Sequence, residues 1–349
     1  MTAAATGPRP LPYLSRTVPR ALVLGSFVVL GLPLAAYVLI ASPLTVSSAD
    51  LPIVQAYVVL LGMTHFLLTF TVYLSSANVK HFLASRRNVF AFVVAPLVPL
   101  VGLASWYGFA LDARFVIANA GLFMAIRALD FYHLSRQSFG VLQLFKGRGV
   151  PAWTRSAENL YFLALAVLIY ITFLTDLRFD AHSALTWVAV AAAGGLLLAV
   201  LAGHAIALRA GADRKQAAIA LAYLAVQTGS SLLAVYRTNL YVASLAVHYV
   251  EYHVLMSPRV FRAPLGEHDR ALATARRSPL LLYGALVALA IVWWLMRSTQ
   301  PALASGPAGT RVLVHLFDGI FVFHYVIEMS LWKFSDPYFG KSLGPLYRS

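Results

Sequence analysis

Apolar stretches of about twenty residues follow one another along most of the 349-residue chain, and charge gathers in the short segments between them. Hydrocarbon offers backbone N–H and C=O groups no water, so a crossing segment must satisfy them internally, as a helix does. At a rise of about 1.5 Å per residue, roughly twenty residues cross the ~30 Å apolar layer. Runs of that length fall at 21–42, 52–76, 89–110, 115–135, 157–175, 183–207, 216–236, 239–257, 279–296 and 310–332. The chain is 60% hydrophobic and only 11% charged, whereas a soluble domain carries about a quarter charged residues. The expected fold is all-α: one polytopic membrane domain, 1–349, with about ten transmembrane helices.

Basic residues orient these helices. With the N-terminus in the cytoplasm, cytoplasmic segments hold 21 of the 27 lysines and arginines and the other side holds 5; Arg127 lies within a span. That asymmetry over short loops follows the positive-inside rule. It predicts both termini in the cytoplasm and an integral protein of a bacterial inner membrane. The net charge of +14 is then a topology signal, so no nucleic-acid partner is expected. Arg9, Arg16 and Arg20 precede an apolar run too long for a signal-peptide core, so the N-terminal segment is expected to stay.

The ten histidines and the intramembrane acids are unevenly placed. An ionisable side chain inside the bilayer is costly and marks a functional site by default. The even-numbered spans contain His65; Arg127, Asp130 and His133; His204; His248, Glu251 and His253; His315, Asp318, His324 and Glu328. The odd-numbered spans contain no histidine; Glu158, Asn159 and Gln227 are their main polar residues. From the nearest cytoplasmic helix end, His65, His248 and His324 come out roughly 14–17 Å deep and His133, His204 and His253 about 5–9 Å deep. Two layers are therefore expected. Arg127, Asp130 and His133 sweep one face in steps of three, with Asp130 free to pair with either neighbour. His324 and Glu328 stack at i, i+4. His248, Glu251 and Tyr252 share a face, and His253 points elsewhere.

Bland roles account for part of this inventory. His204 and His315 read as hydrogen-bonding glue between helices, and His182 and His268 as interface or solvent residues. Trp293, Trp294 and Trp332 read as interfacial belts, and Gly194–Gly195 as a close helix contact. Three acid–histidine sets on three helices of one direction exceed what glue requires. With no cysteine in the chain, any metal must be held by imidazole and carboxylate. That inventory suits non-haem iron, zinc, manganese or copper. The candidate ligands or their supporting groups are His65, His133, His248, His253 and His324, with Glu251, Glu328 and Asp130 as carboxylates and Arg127 as a counter-charge.

"HYVEYH" at 248–253 and "FHYVIEMSLWKF", which holds His324 and Glu328, resemble elements of the bacterial Brp/Blh-type carotenoid-cleaving membrane oxygenases. The resemblance covers roughly a third of the chain, whose early part lacks that family's GLPHG-like element. It implies iron held by isolated helix histidines, with oxygenase or oxidoreductase activity on a lipophilic substrate such as a carotenoid, fatty acyl chain or quinone. An electron donor is a possible further partner, besides membrane lipids. The HxxxH and HxxHH boxes of membrane desaturases are absent. Two alternatives stay open: a b-type haem between histidines of similar depth, giving an electron carrier, and a proton-coupled transporter using the His/Asp/Arg groups as a relay.

Overall fold

A computed structural model describes residues 21–41, 51–109, 116–146, 149–178, 184–262, 265, 269–298, 308–332 and 336–342. Among these residues the chain is helical throughout, with no strand. The helices are α1 (21–41), α2 (Pro52–Leu74), α3 (Ser76–Leu83), α4 (86–109), α5 (Val116–Phe145), α6 (Ala152–Arg178) and α7 (Ala184–Arg209). They continue with α8 (Arg214–Tyr236), α9 (Tyr241–Arg262), α10 (Arg270–Arg277), α11 (Pro279–Ser298), α12 (Ala308–Leu331) and α13 (Pro337–Ser342). Each of the ten apolar runs falls on one of these helices.

Among the described residues six helices are long and apolar enough to cross a membrane: α2, α4, α6, α7, α8 and α11. Of the other four, α5 and α9 carry several intramembrane ionisable residues, which lowers their hydropathy, while α1 and α12 present shorter apolar stretches, Gly25–Ala41 and Gly319–Leu331. The polar insertions also hide helix length. α5 runs ten residues beyond the expected end at 135, to Phe145, because Ser135 and Ser138 turn into the protein, where both are buried.

Burial sorts inner from outer helices. Over half of the apolar window of α2 and of α6 is buried, 56% in each, against 17% in α7 and α11. α12 lies along α4, α6 along both α5 and α7, and α9 between α1 and α8, while α11 covers α2. One large apolar cluster runs through α2, α5, α6, α8, α9 and α12, from Leu68 and Leu142 to Tyr252 and Ile327.

Close backbone approach fixes the position of α12. A Cβ on Gly319 would stand 2.5 Å from the Leu100 carbonyl oxygen of α4, so a side chain there would drive the helices apart. Gly194 and Gly195, the expected close contact, are different: a Cβ on either meets nothing within 4 Å. Both lie on the sparsely buried face of α7, where no helix packs against them, and the packing expectation is corrected there.

Candidate metal centre

Four helices, α2, α5, α9 and α12, each send one histidine to a common point. The rings of His65 and His248 are 5.1 Å apart between centroids, those of His65 and His324 4.7 Å. His133 lies 5.2 Å from His248 and 5.0 Å from His324. None of the four is more than 6% exposed. One nitrogen on each, Nε2 of His65, His133 and His324 and Nδ1 of His248, is buried without a hydrogen-bond partner.

Local structure shows how the rings are aimed. The stretch Val58–Met63 of α2 is wound as a π-helix before ordinary winding resumes at Thr64. Such wide turns free carbonyls from the regular ladder and recur at functional sites. Here the Gly62 carbonyl lies 2.5 Å from His65 Nδ1. A carbonyl can only accept, so Nδ1 holds the proton and Nε2 presents its lone pair. The same glycine lets the Tyr249 ring lie on α2, for a Cβ at 62 would sit 2.7 Å from Tyr249 Cε2. Tyr249 in turn covers the His65 ring, at 4.6 Å.

His324 is held by Thr69, whose Oγ1 is 2.6 Å from Nδ1. The expected i, i+4 stacking of His324 and Glu328 is present, with Glu328 Oε2 3.7 Å from His324 Nε2 and 3.5 Å from His133 Nε2. Trp332 donates its indole N–H to Glu328 Oε1 at 3.2 Å.

Two overlapping groups of possible ligands result. One ligand atom each from His65, His248 and His324 lie within 4.8 Å of one another, and so do those of His133, His324 and Glu328. A cation holding nitrogens at about 2.0–2.1 Å places any two at most ~4.2 Å apart and three at most ~3.6 Å from one another, so either group closes on an ion only if its side chains draw in. His324 is common to both groups.

The other expected site residues lie around this centre. Asp130 accepts from Tyr325 at 2.7 Å and from Tyr241 at 3.4 Å, and pairs with Arg127 at 3.5 Å instead of with His133. Tyr325 stacks on His133 at 4.4 Å, so Asp130 holds the ring that lies on His133. Glu251 turns away toward α8, taking hydrogen bonds from Tyr223 and Gln227, both at 2.9 Å, and from Gln137 of α5 at 3.4 Å. His253 points to α2, its Nε2 3.1 Å from the Leu61 carbonyl, and belongs to neither ligand group.

The expected two layers take a different form. His133 joins the deeper set because α5 continues to Phe145, placing it about 18 Å from that end instead of at its edge. The second layer consists of polar residues one turn beyond each histidine: Thr69 after His65, Gln137 after His133, Glu251 after His248 and Glu328 after His324. Thr69, Gln137, Tyr223, Tyr325 and Trp332 were missed in the sequence. The i+4 spacing from His65 and His133 was the available signal for Thr69 and Gln137.

The glue expected of His204 is present. Its Nε2 lies 3.0 Å from the fully buried Glu158, which also accepts from Lys146 and Gln143, each at 2.8 Å. His182, His268 and the side chains of His315 and Asp318 lie outside the described residues.

Comparison with known protein families, with curated proteins and with solved structures finds no match. What stands is an all-α protein with candidate membrane spans and buried histidine clusters that could hold a metal.

Proposed function

We propose that this chain is a membrane-embedded metalloprotein, a non-haem iron oxygenase or oxidoreductase acting on a lipophilic substrate. One observation carries it: four buried imidazoles from four helices converge with an unpartnered nitrogen each. Such nitrogens cost free energy in a dry interior unless something accepts their lone pairs. A cation does so, and it also balances Glu328, which lies beside two of the rings.

His65, His133, His248 and His324 would hold the metal, with Glu328 as a fifth ligand or a charge balance. Bound there, iron would supply oxygen activation or one-electron chemistry. The chain's own part is to fix the rings through Gly62 and Thr69, to hold Tyr325 against His133 through Asp130, and to keep water out with Phe66, Tyr249 and Tyr252. Apolar helix walls around the centre favour a substrate that arrives from the lipid. The Brp/Blh-type resemblance at "HYVEYH" and "FHYVIEMSLWKF" points the same way.

Ring centroids 4.7–5.2 Å apart favour a bare ion over haem, because a macrocycle needs an open slot between its axial rings. Ten crossings with both termini in the cytoplasm belong to the same proposal. They are supported by the helices at all ten apolar runs and the 21-to-5 basic asymmetry.

Elemental analysis with an optical spectrum on detergent-purified protein tests this reading. About one iron per chain without a Soret band is expected, lost in His248→Ala and His324→Ala. A Soret band would move the assignment to a haem carrier. Failure to take up any transition metal after anaerobic reconstitution would leave the histidines as a relay.

A further inference from the structure

We propose that Thr69 and Tyr252 are positioning residues that decide which nitrogen of His324 faces the cation. This rests on the metal-centre reading above. Thr69 Oγ1 lies 2.6 Å from His324 Nδ1 and 2.6 Å from the Tyr252 hydroxyl. All three side chains are fully buried, each 0% exposed. No solvent can break this string, and each hydroxyl has a single proton to give.

Thr69 Oγ1 therefore either accepts from His324 Nδ1–H or donates to a bare Nδ1. In the first case Thr69 accepts from His324 Nδ1–H, and its contact with the Tyr252 hydroxyl holds Oγ1 in place. His324 Nε2 then carries a bare lone pair beside those of His65 and His133. In the second case Thr69 donates to Nδ1, and Nε2 carries the proton and cannot ligate. Only the first arrangement suits a cation, because it leaves the Nε2 lone pair bare. His65 needs no such device, because the Gly62 carbonyl settles its tautomer through the backbone alone. His324 is the ring common to both ligand groups, so its orientation decides whether the two halves of the site share an ion.

Partners of metal-bound imidazoles typically change affinity by about 10–100-fold when removed. Cobalt(II) titration of the full-length metal-free protein in detergent tests this, read by affinity and by the visible ligand-field spectrum. Thr69→Val is expected to weaken cobalt binding about 10–100-fold, and Thr69→Ser to restore it to within about threefold. Tyr252→Phe keeps the hydrophobic ring and is expected to preserve stoichiometry while shifting the ligand-field bands. Wild-type affinity and spectrum in both Thr69→Val and Tyr252→Phe would overturn the assignment. So would a Thr69→Val protein that melts earlier but binds cobalt normally when folded, because that is packing alone. If the wild type takes up no cobalt, the metal-centre reading itself fails and this inference with it. Loss of cobalt in His324→Ala with full retention in Thr69→Val separates the two failures.

Discussion

At the residue scale, the two glutamates of the site have opposite surroundings although both sit one turn beyond a histidine. Glu328 lies beside two imidazole nitrogens, while Glu251 is taken up by Tyr223, Gln227 and Gln137. Glu251→Gln, which leaves the chain's imidazoles untouched, is expected to retain full metal stoichiometry. Glu328→Gln is expected to lower affinity by at least tenfold, as loss of a ligating or charge-balancing carboxylate does. Metal content after dialysis against a graded chelator measures both. Equal loss in the two variants would put Glu251 at the metal after all. Helical spacing placed both acids near histidines, but which neighbour each would meet depends on α8 and α5, and no spacing within α9 encodes that. The same limit hid the contact of the Trp332 N–H with Glu328.

At the element scale, the centre depends on four helices holding register to within a fraction of an ångström. α12 contributes both His324 and Glu328, and its seat on α4 is set at Gly319. Packing between membrane helices is driven by close contact and hydrogen bonds, with little hydrophobic gain, so a methyl group there has a direct effect. Gly319→Ala is expected to displace α12 and weaken metal binding by tenfold or more, although every ligand is intact, while Gly194→Ala changes neither metal content nor thermal midpoint. Side-by-side chelator titrations and melting curves check the pair. Normal binding in Gly319→Ala would mean that α12 is positioned from elsewhere. The π-wound part of α2 belongs to this scale as well, since its Leu61 and Gly62 carbonyls hydrogen-bond His253 and His65. Nothing in "VVLLGMTH" announces that winding.

At the scale of the whole molecule, the orientation proposed for the ten helices is open to a simple test, because the chain has no native cysteine to interfere. Tyr236 and Leu265 are both exposed, at 68% and 44%. In intact cells Tyr236→Cys is expected to react with a membrane-impermeant maleimide, and Leu265→Cys to react only after permeabilisation. The reverse pattern would invert the topology, and labelling of both from one side would break the span count. The same architecture explains a second buried charge cluster. Glu158, Lys146, Gln143 and His204 join α5, α6 and α7 at one end of the bundle, away from the centre. They act as a clamp, satisfied within itself and carrying no unpartnered nitrogen of the kind found at the four converging rings.

Helicity, the location of the ten apolar runs, and the candidate status of His65, His133, His248, His324 and Glu328 were legible from one dimension. Length, hydropathy and the expense of charge in lipid are properties of local segments, and they do not depend on which helices touch. Assembly of the site was not legible. Four histidines drawn from positions 65, 133, 248 and 324 meet only because α2, α5, α9 and α12 pack together. The separation of His253 and Glu251 from that group, the full length of α5, and the Thr69–Tyr252 string follow from the same packing. Side-chain direction on a helix is periodic and can be computed, but the partner it meets is a contact between distant segments, which hydropathy does not carry.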